Sequence, residues 1–117
     1  MSYYVLLFRK EVQEQEADLE FLAHEKSIMP FTKEQFKRLK KRMLRRNYQI
    51  ETESEKQIQF SFRGHLSDIR VSLQSNLLSF QSDYFSKDSI FEIISTCSKF
   101  TDTGEFAKLD LEVGQWG

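Results

Sequence analysis

This sequence predicts an α+β fold, a mostly antiparallel sheet with helices packed on one face. Three observations carry that expectation. The middle of the chain alternates apolar and polar residues over several short stretches, the period of half-buried strands. Two other segments repeat their apolar residues at helical spacing and begin with capping residues. The remaining apolar segment, residues 3–8, is short and nearly continuous, as in a strand covered on both faces. The expected order is β-α-α-β-β-β-β-α-β, with about five or six strands in a single domain spanning residues 1–117.

The elements follow in turn. Residues 3–8, Tyr-Tyr-Val-Leu-Leu-Phe, read as an interior strand. Residues 11–25 hold Glu11, Glu14, Glu16, Asp18, Glu20 and Glu25 and no lysine or arginine, with Val12, Leu19, Leu22 and Ala23 as a loose helical stripe. A loop passing into a helix over residues 17–26 is expected there, broken by Met29-Pro30. Thr32-Lys33-Glu34-Gln35 is a capping box, and Phe31 and Phe36 stand at the positions of a hydrophobic staple. The helix it starts runs to Asn47, with Phe36, Leu39, Met43 and Leu44 as its apolar stripe.

Beyond Asn47 the period becomes two. Strands are expected over 49–53 and 57–63, joined by Ser54-Glu55-Lys56, with Ile58, Phe60 and Phe62 on one face. Residues 64–68 form a loop. Ile69, Val71 and Leu73 alternate, Ser75-Asn76 turns the chain, and Leu78 and Phe80 continue on the return strand. Ser86 or Asp88 caps a helix over 89–100, where Ile90, Ile93, Ile94 and Cys97 share a face and Gly104 follows the end. Ala107, Leu109, Leu111 and Val113 alternate in a last strand, leaving residues 114–117 as a tail.

Composition narrows the function classes. Seventeen basic against eighteen acidic residues give a net charge of −1, which excludes a wholly basic nucleic-acid binder. A lone cysteine, Cys97, excludes an internal disulfide framework and fits a reducing compartment. The apolar run at residues 3–8 is too short for a signal peptide or a transmembrane helix, so a cytoplasmic protein with no membrane partner is expected.

No motif points to catalysis. Cys97 lies on an apolar helical stripe, the setting of a buried structural thiol. His24 and His65 fall in different elements without the further ligands a zinc site needs. The glycines at 64, 104, 114 and 117 make no phosphate-binding loop. Carboxylates are plentiful, but nothing in their spacing brings two across a cleft. No enzyme activity, cofactor or metal is therefore expected.

The charge layout is the anomaly. Residues 11–25 carry −6; residues 26–46 carry nine basic residues and Glu34, hence +8. One reading is a solvated helix face whose cations complement its C-terminal dipole and pair with the acidic segment folded beside it. A second is a docking surface for a charged partner. A third is a nucleic-acid surface. An acidic run without lysine or arginine repels itself, so Glu14, Glu16, Asp18, Glu20 and Glu25 are the partner-binding candidates. Aromatics are the second anomaly. Packing explains Phe60, Phe62 and Phe80, while Tyr84, Phe85 and Trp116 fit either core plugs or an interface patch.

The two chain ends carry a resemblance. Met1-Ser2-Tyr3-Tyr4-Val5-Leu6-Leu7-Phe8 and Phe106-Ala107-Lys108-Leu109-Asp110-Leu111-Glu112-Val113-Gly114-Gln115-Trp116 resemble the start and end of small bacterial immunity proteins. These accompany polymorphic toxins such as contact-dependent inhibition and type VI secretion effectors. The resemblance implies a compact, cytoplasmic α+β protein whose partner is a cognate toxin, neutralised by covering its active site. It assigns no role to any individual residue. The alternative is a nucleic-acid-binding accessory protein using helix 32–47; a third reading is a small enzyme whose site the sequence does not display.

Overall fold

The structure, a computed structural model, describes residues 2–15, 20–24, 28–66, 68–83 and 86–117. The fold is α+β. Strand β1 (Tyr3–Arg9) runs directly into helix α1 (Lys10–Gln15), and a 3-10 turn follows at Glu20–Ala23. Helix α2 (Lys33–Arg45) leads into strands β2 (Tyr48–Glu53), β3 (Gln57–Phe62), β4 (Ile69–Gln74) and β5 (Leu78–Ser82). Helix α3 (Lys87–Phe100), β6 (Phe106–Asp110) and β7 (Gln115–Trp116) complete the chain.

The strands form one sheet of order β2-β3-β4-β5-β1-β6-β7, antiparallel at every pairing. β1 lies between β5 and β6, with Val5 opposite Phe80 on one side and Asp110 on the other. Its apolar run therefore serves two cores, because successive side chains point to opposite faces. Tyr3, Val5 and Leu7 join the main core, with Leu39 and Met43 of α2, Ile93, Cys97 and Phe100 of α3, and the inward residues of β2–β5. Leu6 and Phe8 join a smaller core with Val12, Phe21, Ile28 and Leu109, edged by Trp116. Thus α2 and α3 share one face, as expected, while α1 and the 3-10 turn cover the β1–β6–β7 part of the other.

Both long helices begin where their caps place them. The Gln35 amide donates to Thr32 Oγ1 at 3.1 Å, and the Thr32 amide donates to Gln35 Oε1 at 2.9 Å. Ser86, not Asp88, caps α3, accepting from the Ser89 amide. The buried faces are rotated from the expected stripes. Gln35 is buried on α2 and Leu44 is 43% exposed; on α3, Ser89, Thr96 and Phe100 are buried and Ile94 is exposed. Burial of these polar groups is compatible with their hydrogen bonds: Gln35 closes the capping box, and Ser89 and Thr96 bond carboxylates.

Two elements differ from expectation. Within the helix expected over 17–26, the described residues form only the 3-10 turn; residues 16–19 and 25–27 lie outside the described residues. The regular helix comes earlier, anchored by buried Val12 and by the Lys10 amide donating to the Glu105 carbonyl. At the other end the last strand stops at Asp110. Its carboxylate accepts from the Glu112 amide, and Gly114, at φ 66°, donates to its carbonyl. The expected tail returns as β7, with Trp116 opposite Leu109. Leu111 and Val113, expected in the strand, are exposed in this turn. Trp116 is a core plug, its ring centroid 5.8 Å from that of Phe8 and 5.9 Å from that of Phe21; Tyr84 and Phe85 lie outside the described residues.

Candidate functional site

Helix α2 carries the densest charge, and its geometry sorts that charge into two sets. The flanks are paired. Arg38 donates through both terminal nitrogens to Glu105, at 2.5 Å each. Arg42 donates to the Lys99 carbonyl at 2.8 Å, approaches Asp102 and lies 4.6 Å from the Phe100 ring centroid. Lys40 reaches Glu53 at 2.6 Å. Arg46, capping the helix, donates from Nε to Thr96 at 3.0 Å and stands 3.6 Å from Glu92. Tyr48 and Thr96 both donate to that same Glu92 carboxylate. Burial, then the Glu92 charge, pushes the Tyr48 hydroxyl's pKa well above its ordinary value.

The outward crest is different. Lys33, Lys37, Lys41 and Arg45 follow one another at four-residue steps, about 6 Å apart along the axis. All four are exposed, and among the described residues none makes an ion pair. Like charges at that spacing oppose each other, by about 0.2–0.5 kcal/mol per neighbouring pair. At the N-terminal end of the crest is a hollow of about 290 Å³ lined by Phe31, Phe36, Lys33, Lys37 and Lys56, among others.

Among the described residues, no ion pair joins the basic and acidic segments. Among the described residues, the ion-pair partners of α2 and its cap are Glu53, Glu92, Asp102 and Glu105. The reading in which α2 pairs with segment 11–25 is corrected for the described residues: Val12 of α1 and Phe21 of the 3-10 turn lie in the smaller core, and α2 lies in the main core served by the other side of β1. Glu11 pairs instead with Arg9 at 2.6 Å. A backbone hydrogen bond first, and the Arg9 contact after it, lower the Glu11 pKa against the opposing effect of burial. Of the five partner candidates, Glu14 is exposed on α1 and Glu20 is exposed at the start of the 3-10 turn. Glu16, Asp18 and Glu25 lie outside the described residues.

Among the described residues, the second sheet face away from α1 and the 3-10 turn is polar, with Glu51 and Arg70 as the charged groups lining its hollow. Gln59, Ser61, Arg70, Ser72, Ser79 and Gln81 surround a hollow of about 400 Å³ there. Cross-strand register makes it: Gln59 stands opposite Ser72, Ser61 opposite Arg70, and Arg70 opposite Gln81. This surface is the outward, polar half of the strand alternation.

Cys97 is fully buried, and burial pushes its thiol well above the ordinary range. His24 and His65 are exposed in separate segments. No cluster of three metal-ligating side chains occurs among the described residues, and no helix among them is long and apolar enough to cross a membrane. No family model, curated protein or solved structure matches this chain at a significant level.

Proposed function

We propose that the chain is an immunity protein, a cytoplasmic binding protein that neutralises a cognate secreted toxin domain by covering it. The observation that carries this reading is the separation of charge across the sheet. The described acidic elements, with Glu14 and Glu20 exposed, share the smaller core with Leu6 and Phe8, whereas the basic helix shares the main core with Val5 and Leu7. Among the described residues no ion pair joins the two, so the molecule presents a directional field to an approaching partner. Such a field accelerates association with a surface of opposite sign. The two sheet-borne cores supply the rigid platform that an inhibitor requires.

The acidic segment is the proposed toxin contact. Neutralising Glu14, Glu16, Asp18 and Glu20 together lowers the association rate with the toxin encoded beside this chain by about tenfold or more at low salt, and much less at high salt. Stopped-flow binding at two ionic strengths measures it. If the neighbouring toxin does not bind, the immunity reading is wrong. The second reading, nucleic-acid binding through residues 32–47, draws on the exposed cations of α2. A steep loss of RNA or DNA affinity with salt, alongside no toxin binding, favours it.

A further inference from the structure

We propose that the outer crest of α2 docks an acidic helical segment of a partner protein, a second interface on the face opposite the acidic elements. Its carboxylates meet Lys33, Lys37, Lys41 and Arg45, and an apolar side chain enters the Phe31–Phe36 hollow.

The argument begins with what the crest is not doing. Arg38, Lys40, Arg42 and Arg46 tie α2 and its cap to neighbouring elements. The four crest cations take part in none of those ties and oppose one another at four-residue spacing. Among the described residues they make no ion pair with segment 11–25 either. Their function is therefore directed outward.

Spacing and width select the partner. Carboxylates at four-residue steps on a helix repeat every 6 Å or so, the same rise that separates the crest cations. The crest is also flanked by carboxylates on both sides. Asp102 and Glu105 line the hollow on one flank with Lys41 and Arg45. Glu53 and Glu55 stand on the other, one bonded to Lys40 and one at the edge of the Phe31–Phe36 hollow. A nucleic-acid duplex laid on α2 brings phosphates toward these carboxylates, whereas a single helix, about 10 Å across, covers less of the flanks. The crest also offers apolar contacts that a phosphate backbone does not use. Leu44 is 43% exposed among the crest cations. The aromatic residues lining the hollow create an anchor point, with lysines around it, for one apolar side chain.

This proposal does not depend on the immunity reading, and its test uses no toxin. The probe is a fluorescent synthetic helix of about 15 residues, long enough to span the crest, with glutamates at four-residue steps and a leucine near one end. Anisotropy is measured with the full chain at about 50 mM and about 200 mM salt. The wild-type protein is expected to bind. The variant Lys33→Gln/Lys37→Gln/Lys41→Gln/Arg45→Gln should lose at least about tenfold in affinity, and Leu44→Ser should lose affinity with its salt dependence unchanged. A matched variant, Arg63→Gln/Arg70→Gln/Lys87→Gln/Lys99→Gln, should keep wild-type affinity. A urea midpoint at or above that of wild type, as removal of the like-charge repulsion predicts, confirms that the crest variant folds. Absence of peptide binding, equal losses in the crest and matched variants, or tighter binding of a single-stranded RNA oligonucleotide than of the peptide each overturns the proposal.

Discussion

Arg38 and Glu105 form a two-pronged ion pair, each terminal guanidinium nitrogen 2.5 Å from a different carboxylate oxygen. The pair joins the middle of α2 to the connection between α3 and β6. The Arg38 hydrogen bonds hold the Glu105 carboxyl below its ordinary pKa, outweighing burial, with Gln35 assisting. A carboxylate so depressed contributes stability above its unfolded-state pKa and loses it as pH falls through the folded value. Arg38 is half exposed, so solvent screens the pair and its contribution stays near 0.5–1 kcal/mol, roughly. Glu105→Gln should therefore lower the urea midpoint at neutral pH. The gap from wild type should close in acid, below the folded pKa of Glu105. A gap that persists there would show that packing, not charge, holds the connection.

Asp68 is the second structural carboxylate. It accepts from Ser82 Oγ at 2.6 Å and from Ser89 Oγ at 2.8 Å, and both serines are fully buried. Burial raises its pKa, but these hydrogen bonds and one from the backbone outweigh that and leave it lowered. Asp68→Ala removes the acceptor for two buried hydroxyls and should cost about 1–3 kcal/mol. Asp68→Asn, which keeps one acceptor oxygen, should cost less. Chemical denaturation at neutral pH ranks the two, and equal losses would contradict the assignment.

The capping box makes a cleaner prediction. Thr32→Ala leaves the Gln35 amide without its side-chain acceptor and should destabilise by about 1 kcal/mol. Hydrogen exchange should quicken first at the start of α2. Unaltered exchange at Phe36 and Lys37 would place the origin of the helix elsewhere.

Cys97 should behave as a packed apolar group. Its thiol is fully buried with a raised pKa, so the native protein should react with a thiol reagent only as fast as it opens. Cys97→Ala should cost about 1 kcal/mol. Rapid native-state labelling would contradict this.

Asn47 follows α2 with φ at 72°, a left-handed conformation that asparagine tolerates and most residues resist. Asn47→Ala should cost about 1 kcal/mol, whereas Asn47→Gly should be neutral or slightly stabilising. Thermal melts of the pair decide it; equal losses would show that the asparagine side chain, not its backbone, is what matters.

Several features were legible because they are local. The Thr32 box, the Ser75-Asn76 turn and the alternation through Ile58–Phe60 and Ile69–Leu73 depend on residues a few positions apart. The exposed lysine row is equally visible at four-residue spacing. The polar hollow on the sheet was less legible, since Gln59, Ser72 and Gln81 become neighbours through strand register. In the acidic run the helix was expected over 17–26, whereas the regular helix is α1 and the described part of 17–26 holds a 3-10 turn. Its stripe was loose, and anchoring by Val12 and Phe21 on the far face depends on Phe8 and Trp116.

By itself the sequence determined the α+β class, the order of the main elements, the Thr32 cap, the choice of Ser86 or Asp88 for the other, and the opposed charges of segments 11–25 and 26–46. These follow from periodicity, capping chemistry and composition, all properties of neighbouring residues. Tertiary structure decided which faces those charges occupy and which cations have partners. Arg38 meets Glu105 across a separation of 67 residues, and Arg42 meets Asp102 across 60, distances over which spacing in the chain carries no information. The β1 strand decided the rest. With one alternating set of side chains in each core, it holds the acidic and basic elements on opposite faces. Their charges therefore face outward, because covering both sides of a central strand buries more apolar surface than pairing exposed charges could offset.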